Sequence, residues 1–182
     1  MKLAIKTPDQ LGRQAEAKMA AWKRKKKLEK KKPEPEKVKE KARPISNEQK
    51  ELNQKFRRAA MNGDVKLVEK LLGEGAELES QTQRGKGTAL MIAARGRGHK
   101  HVETVKFLLS NGADVNARSS QGGRTVLMEA SGAIKENSTM VQLLIDNHAE
   151  VNAMDNMSNT ALSLCCERKH ATIERILRAA GA

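Results

Sequence analysis

One stretch of this sequence reads Thr88-Ala-Leu-Met-Ile-Ala-Ala94, then His101-Val-Glu-Thr-Val-Lys-Phe-Leu-Leu109, then Asn111-Gly-Ala-Asp-Val-Asn116. The pattern recurs from Thr125 and from Thr160, and a variant without the leading threonine begins at Phe56. Four equivalent alanines close the copies, with separations of 37, 36 and 33 residues: Ala76, Ala113, Ala149 and Ala182. A unit that recurs at this length predicts a stack of helix–turn–helix repeats.

Each unit contains two patterns that favour a helix. The first helix carries adjacent small residues that let neighbouring helices approach closely: Ala59/Ala60, Ala93/Ala94, Ala130/Ser131 and Cys165/Cys166. The second helix has Leu, Ile and Val at i, i+3 and i+4, which gives it one apolar stripe. Gly75, Gly112 and Gly181 stand where this helix must end, because glycine readily adopts the left-handed cap conformation. His148 follows the third such helix, where we expect a less favourable cap.

These residues resemble the ankyrin repeat family over residues 53–182, most clearly in Gly123-Arg124-Thr125-Val-Leu-Met-Glu-Ala130. The resemblance implies an all-α fold, an ankyrin repeat solenoid of about four helix–turn–helix units. Where family members usually have a histidine early in the first helix, this chain has Met91, Met128 and Ser163. We therefore expect the local hydrogen bond of that histidine to be lost. Two turns within units are longer than usual, by about three residues at 96–98 and about two at 132–136.

The resemblance also implies where a partner binds, because ankyrin stacks generally use their turn tips and the exposed side of their first helices, which form a concave groove. By position, the predicted binding face comprises the turn-tip residues Arg84, Lys86, Gln121, Arg124, Asn156, Met157 and Asn159, and the helix residues Arg58, Met61, Asn62, Ile92, Arg95, Glu129, Leu164 and Arg168. The set carries more positive than negative charge, and Met61, Ile92 and Leu164 are apolar. We expect a protein partner with an acidic segment and an apolar anchor. The alternative is that these cations only keep a surface solvated.

The composition divides the chain near residue 45. Residues 1–50 hold 17 Lys/Arg against 7 Asp/Glu, whereas residues 51–182 hold 18 against 15. We expect a basic helical or disordered tail with a Pro/Glu/Lys linker over residues 1–45, followed by the repeat domain over residues 46–182. Its units are expected at 46–80, 81–118, 119–154 and 155–182. Ser46 is expected to cap a first helix that begins at Asn47, with Gln49 completing a capping box.

The tail contains a basic cluster that leaves several interpretations open. Its members are Lys23, Arg24, Lys25, Lys26, Lys27, Lys30, Lys31 and Lys32. The cluster resembles a nuclear import signal. Next to Trp22 on an amphipathic face, it could instead lie on an anionic membrane. It could equally hold nucleic-acid phosphates without reading sequence. The remaining interpretation is a solvated, disordered extension.

The sequence offers no arrangement typical of catalysis, of a metal site or of a cofactor. Cys165 and Cys166 lack the spacing of zinc ligands, and two free thiols fit a reducing compartment such as the cytoplasm or nucleus. His101 and His170 occupy equivalent repeat positions, which favours a structural role for both. No apolar run is long enough for a secretory signal or a membrane span. We expect no enzyme activity, no cofactor, no metal and no small-molecule substrate.

The leading hypothesis is a monomeric, non-enzymatic adaptor or scaffold that holds a protein partner in the groove. The alternative is a regulator tethered to nucleic acid or to an anionic membrane through its basic tail, or a secreted host-directed effector. The family resemblance adds one candidate modification. Asn116 and Asn152 resemble ankyrin asparagines that are hydroxylated in animals, but a turn-stabilising role explains them as well.

Overall fold

The computed structural model describes residues 46–82, 85 and 87–182, so the predicted tail and its basic cluster lie outside the described residues. Within these ranges eight helices form four consecutive pairs: α1 (Asn47–Asn62) with α2 (Val65–Gly73), α3 (Ala89–Ala94) with α4 (His99–Ser110), α5 (Val126–Ser131) with α6 (Ser138–Asp146), and α7 (Ala161–Arg168) with α8 (Ala171–Ala179). This described part contains no β-strand, only an isolated bridge between Arg118 and Thr125. The all-α repeat solenoid predicted from the sequence is confirmed.

The pairs stack into two layers. Each first helix packs against the next first helix, and each second helix packs against the next second helix. The apolar stripes of the two layers meet in a continuous core, whose largest fully buried side chains include Phe56, Leu90, Leu108, Leu127, Leu144 and Leu177. Because each unit buries its apolar face mainly against its neighbours, the stack and not the single unit is the stable structure.

The small residues of the first helices lie in the core, as predicted, with one exception. Ala59 and Ala60 are buried, and so are the equivalent pairs of α3 and α5. In α7 only Cys165 is buried, whereas Cys166 is exposed, which corrects the expectation for that pair. In the other three units the first helix packs against the first helix of the following unit. Among the described residues, α7 is the last of the first helices.

Hydroxyl groups fix where the first helices begin. Ser46 Oγ accepts a hydrogen bond from the Gln49 amide at 3.1 Å, as predicted, and threonines cap the other three first helices. The Gln49 side chain does not complete the predicted capping box. Its amide instead donates to the Gly75 carbonyl oxygen at 2.9 Å, which joins α1 to the end of α2.

At two of the positions where the family usually has histidine, this chain's side chain accepts a hydrogen bond from the threonine that caps the helix. The Thr160 amide donates to Ser163 Oγ at 2.9 Å, and the Thr125 amide reaches Met128 Sδ at 3.5 Å. Both side chains therefore complete a capping box with the threonine at the N-cap. A hydroxyl accepts hydrogen bonds well, whereas a thioether sulfur is a weak acceptor.

All four second helices end in the same cap. After α2, the Gly75 amide donates to the Leu72 carbonyl and the Ala76 amide donates to the Leu71 carbonyl, each at 3.0 Å. This is the Schellman pattern, which needs a left-handed residue at the position of Gly75. Gly112 and Gly181 are left-handed there too, and His148 adopts the same conformation at φ 66°. The left-handed caps predicted at the three glycines are confirmed, and His148 adopts the same conformation without glycine's tolerance of it.

The turns that join the two helices of each pair differ in length, and one of them supplies a side chain that caps another helix. They comprise residues 63–64, 95–98, 132–137 and 169–170, so the two middle turns are longer, but the third is the longest and not the second as predicted. In the third turn, the Glu136 carboxylate accepts bonds from the Thr172 and Ile173 amides at 2.8 and 3.0 Å. These amides begin α8, whose own N-cap residue makes no side-chain cap. Burial alone would raise the pKa of Glu136, but these hydrogen bonds outweigh it and lower that pKa.

Candidate functional site

The structure leaves most of the predicted binding face accessible. Met61 is 56% exposed and Met157 is 79% exposed. The other exposed members are Arg58, Asn62, Arg95, Gln121, Asn156 and Arg168, whereas Ile92, Arg124, Glu129 and Asn159 are half-buried. Arg84 and Lys86 lie outside the described residues. The accessible members come from first helices and from connecting turns between units.

Leu164 does not have the exposed position that the repeat pattern suggested. Its residue is only 5% exposed, so it belongs to the core. The reason is the glycine at the end of the preceding first helix. A Cβ built on Gly132 would meet Leu164 Cβ at 3.5 Å and Cδ1 at 3.7 Å. Leu164 thus packs against the bare Gly132 backbone, and it cannot serve as the apolar anchor of the face.

Two neighbouring first helices are joined by an ion pair on this face. Arg95 Nε at the end of α3 lies 3.4 Å from Glu129 Oε2 on α5. The Glu129 side chain is mostly buried, whereas that of Arg95 is mostly exposed. The single carboxylate in the predicted set therefore already has a cationic partner, and part of the expected positive charge is used within the stack.

A buried carboxylate organises the last connecting turn (residues 150–160). Asp155 Oδ1 accepts hydrogen bonds from the Met157 amide at 2.8 Å and the Asn159 amide at 2.9 Å. Its Oδ2 accepts from Asn159 Nδ2 at 3.0 Å and lies 3.5 Å from Arg124 Nε. The Asp155 side chain is only 2% exposed. Arg124 and Asn159, both predicted to contact a partner, thus hold Asp155 in place.

The hydrogen bonds around Asp155 shift its titration. Burial by itself raises the pKa of a carboxyl group, because it disfavours the charged form. Here the hydrogen bonds from Asn159 and Met157 and the charge of Arg124 outweigh burial, so the pKa of Asp155 is lowered. The carboxylate is therefore ionised at neutral pH. Asp155 was not among the residues predicted from the sequence, although an aspartate that bonds the amide two residues on is a known turn signal.

Backbone hydrogen bonds link the tips of successive connecting turns. The Gln121 amide donates to the Gly85 carbonyl at 3.2 Å, and the Asn156 amide donates to the Gly122 carbonyl at 2.9 Å. Gly123 lies so close to Asn156 that a Cβ there would be 2.5 Å from Asn156 Oδ1. The tips therefore form a continuous row, in which Gln121, Asn156 and Met157 keep fixed relative positions.

The asparagines considered for modification make structural bonds between units. Asn116 Oδ1 accepts from the Glu150 amide at 2.8 Å, and its Nδ2 donates to the His148 carbonyl at 3.3 Å. Asn152 Nδ2 donates to the Gly181 carbonyl at 2.9 Å. These contacts provide the turn-stabilising role that the sequence left open.

The remaining chemistry of the described residues is sparse. Burial and the neighbouring Cys166 thiol raise the pKa of the Cys165 thiol to about 12, so it stays protonated and unreactive. No cluster of three or more His, Cys, Asp or Glu in the described part could hold a metal ion. No helix of the same part is long and apolar enough to cross a membrane.

The sequence of this chain is similar to a known family model and to several known proteins. A family model described as ankyrin repeats, in three copies, matches residues 56–155. The ankyrin repeat, SAM and basic leucine zipper domain-containing protein 1 of Dasypus novemcinctus is 32% identical over 135 residues, which are 72% of this chain and 27% of that protein. Its counterpart in Notamacropus eugenii is 35% identical over 126 residues, 68% of this chain and 25% of that protein.

A third relative has a different domain composition. The ankyrin repeat and KH domain-containing protein mask-1 of Caenorhabditis elegans is 40% identical over 93 residues, 50% of this chain and 3% of that protein. The chain spans about a quarter of the length of the first two relatives. Ankyrin repeats are generally protein–protein interaction modules. On the family match and the stacked helix pairs together, the chain belongs to the ankyrin repeat family.

Proposed function

We propose that this protein is a non-enzymatic adaptor that holds a protein partner against the predicted binding face. One observation carries the proposal. Within the described residues, Arg95 and Arg124 are paired inside the stack, whereas Arg58 and Arg168 are exposed and take part in no ion pair. A cation that the stack does not use is available to a partner, and the interaction role of the family provides the context.

The partner segment is acidic and carries at least one apolar side chain. Arg58 and Arg168 supply the charge that would bind its carboxylates, since arginine matches a carboxylate with two parallel donors. Met61 and Met157, the exposed apolar members of the face, replace Leu164 as the apolar contact. Methionine suits this role because its flexible, polarisable side chain adapts to differently shaped partners.

The charge of the face can be reversed without breaking an internal ion pair. The test variant is Arg58→Glu with Arg168→Glu, and the matched control is Lys66→Glu with Arg175→Glu. Lys66 and Arg175 are exposed on the second helices α2 and α8, and neither takes part in an ion pair of the described residues. Both variants change the net charge equally, so a general electrostatic effect would affect them equally.

The measurement is affinity capture with the full chain, followed by quantitative mass spectrometry. We expect the test variant to capture at least about tenfold less of the specifically bound protein. This decrease corresponds to a loss of roughly 1.4 kcal/mol of binding free energy. The control should capture as much as the unaltered chain. Equal capture by the test variant and the unaltered chain would refute the proposal. Substituting Arg95 or Arg124 would be less informative, because each would leave a buried carboxylate unpaired.

The alternative function rests on the basic tail, where 17 Lys/Arg stand against 7 Asp/Glu in the first fifty residues. In that case the tail does the main binding and tethers the protein to nucleic acid or to an anionic membrane. The repeats then act as a regulator at the tethered position. Deleting residues 1–45 separates the two functions. The adaptor proposal expects the captured protein to be retained by the shortened chain, whereas the tethering alternative expects it to be lost. Both free thiols fit a reducing site of action, in the cytoplasm or nucleus.

A further inference from the structure

The turn that joins α3 to α4 carries an arginine side chain that the fold does not use. Arg97 lies between Gly96 and Gly98, and no other arginine of the sequence has glycine on both sides. Residues 97–100 are all exposed. The Arg97 carbonyl oxygen lies 2.6 Å from His101 Nδ1, so the backbone of the turn is held in place. The Arg97 guanidinium, in contrast, makes no ion pair or hydrogen bond with any described residue.

The fold accounts for the two glycines of this turn but not for the arginine between them. A Cβ built on Gly96 would overlap the His101 ring, so the ring excludes a larger residue there. Gly98 is the N-cap residue of α4 and has a left-handed φ of 77°, which favours glycine. Neither constraint requires a cation at position 97. An exposed side chain without a structural role, placed on a turn, is available for recognition by another protein.

The other described arginines differ from Arg97 in their contacts or in their secondary structure. Those with an ion pair or a side-chain hydrogen bond are Arg57, Arg95, Arg118, Arg124 and Arg178. Those without one lie within helices and are Arg58, Arg168 and Arg175. A helical arginine shares its face with side chains three and four residues away, which crowd an enzyme that approaches it. Among the described arginines, Arg97 therefore combines a free guanidinium with an open turn.

We propose that Arg97 is a modification site for a protein arginine N-methyltransferase. An enzyme of this class transfers the methyl group of S-adenosylmethionine to a guanidinium nitrogen. The new N–C bond forms as the S–C bond of the sulfonium breaks, one guanidinium proton is released, and S-adenosylhomocysteine leaves. The active site must enclose an extended arginine side chain, and the glycines on both sides of Arg97 let its walls approach the backbone closely.

Methylation of Arg97 changes what this turn can bind and leaves the stack as it is. A methylated arginine keeps its positive charge, but the methyl group blocks the two parallel hydrogen bonds with which arginine binds a carboxylate or phosphate. The fold loses nothing, because the guanidinium contacts no described residue through an ion pair or hydrogen bond. Arg97 is not a member of the predicted binding face, so the inference does not depend on the proposed adaptor function.

The first experiment measures methyl transfer to the full, folded chain without any substitution. The reagents are a recombinant arginine methyltransferase that accepts glycine–arginine–glycine peptides and S-adenosylmethionine with a deuterated methyl group. Peptide mass spectrometry over time gives the initial rate of methylation at each arginine. We expect the rate at Arg97 to exceed the rates at the three unpaired helical arginines, Arg58, Arg168 and Arg175, by at least about tenfold. A smaller ratio, or no methyl group on Arg97, would overturn the proposal.

A matched pair of variants then tests whether the glycine flank is recognised. Asparagine tolerates a left-handed φ, and a Cβ at Gly98 meets no atom within 4 Å, so Gly98→Asn should keep the fold. The control is Gly112→Asn, at a left-handed glycine with equally open surroundings after α4. We expect the methylation rate at Arg97 to fall at least about tenfold in Gly98→Asn and to stay unchanged in the control.

The urea unfolding midpoints of both variants show whether either substitution has disturbed the stack. With equal midpoints, a slower rate in Gly98→Asn alone supports recognition of the glycine flank. An unchanged rate in Gly98→Asn, or an equal decrease in both variants, would overturn the proposal.

Discussion

Asp155→Ala is the substitution that most directly tests our account of the last connecting turn. It removes the acceptor of three hydrogen bonds, at 2.8, 2.9 and 3.0 Å, and leaves Arg124 without its carboxylate. A hydrogen bond to a charged group contributes about 1.5–3 kcal/mol, but water partly replaces the lost acceptor once the turn opens. Breaking a buried charged pair costs about 3–5 kcal/mol. We expect the free energy of unfolding to fall by about 3–4 kcal/mol, since Arg124 itself is partly solvated.

The assay is urea unfolding at 25 °C and pH 7, followed by far-UV circular dichroism, because the only tryptophan lies in the tail. The control is Asp146→Ala on α6, an exposed aspartate that accepts one side-chain bond from Gln142. It should cost no more than about 0.5 kcal/mol. Our reasoning is refuted if Asp155→Ala costs less than about 1 kcal/mol, or no more than the control.

The same variant gives a pH dependence with a definite sign. The pKa of Asp155 is lowered in the folded state, so its contribution is fully present above the unfolded value of about 3.9. The contribution is lost as the pH falls through the folded pKa. The difference in stability between the unaltered chain and Asp155→Ala should therefore be constant from about pH 5 to pH 7 and shrink below about pH 4. A difference that grows on acidification would contradict the assignment.

Two further substitutions should stabilise the protein. His148→Gly relieves the strain at the one second-helix cap of the described residues whose left-handed residue is not glycine. We expect a gain of about 0.5–1 kcal/mol in urea unfolding, because the strain of about 1–2 kcal/mol is partly offset by the greater freedom of unfolded glycine. An unchanged or lower stability would contradict this. Ser131→Ala removes a buried hydroxyl for which the structure records no hydrogen-bond partner, so the melting temperature should stay equal or rise, with a gain of up to about 1 kcal/mol. A loss above about 1 kcal/mol would show that this hydroxyl is satisfied.

The fold was predictable from the sequence because its determinants are local and repeated. Thr88, Thr125 and Thr160 cap helices through amides three residues away, and Gly75 acts on the helix just before it. Interactions of this range recur at fixed positions in every unit. Four copies of one pattern therefore predict the caps and the stacking of the helices together.

The burial and ion pairing of individual residues of the predicted binding face were less predictable, because both depend on which residue of a neighbouring unit lies opposite. Leu164 is buried because position 132 of the preceding unit is glycine. Arg124 and Arg95 were recognised as surface cations, but their carboxylate partners stand 31 and 34 residues further along the chain. Repeat alignment compares equivalent positions, and it does not reveal pairs that form between non-equivalent ones.

The Glu136 carboxylate bears on how freely the units of this stack could be recombined. An ideal solenoid is modular, since each unit contacts only its neighbours through a common interface. Here the unit that contains α5 and α6 supplies the N-terminal cap of α8, a helix in the next unit. Exchanging or deleting that unit would leave α8 without its acceptor, even if the apolar interface were preserved. The last two described units are thus coupled by a side-chain cap as well as by their apolar interface, and a boundary for shortening or extending this protein is better placed between other units.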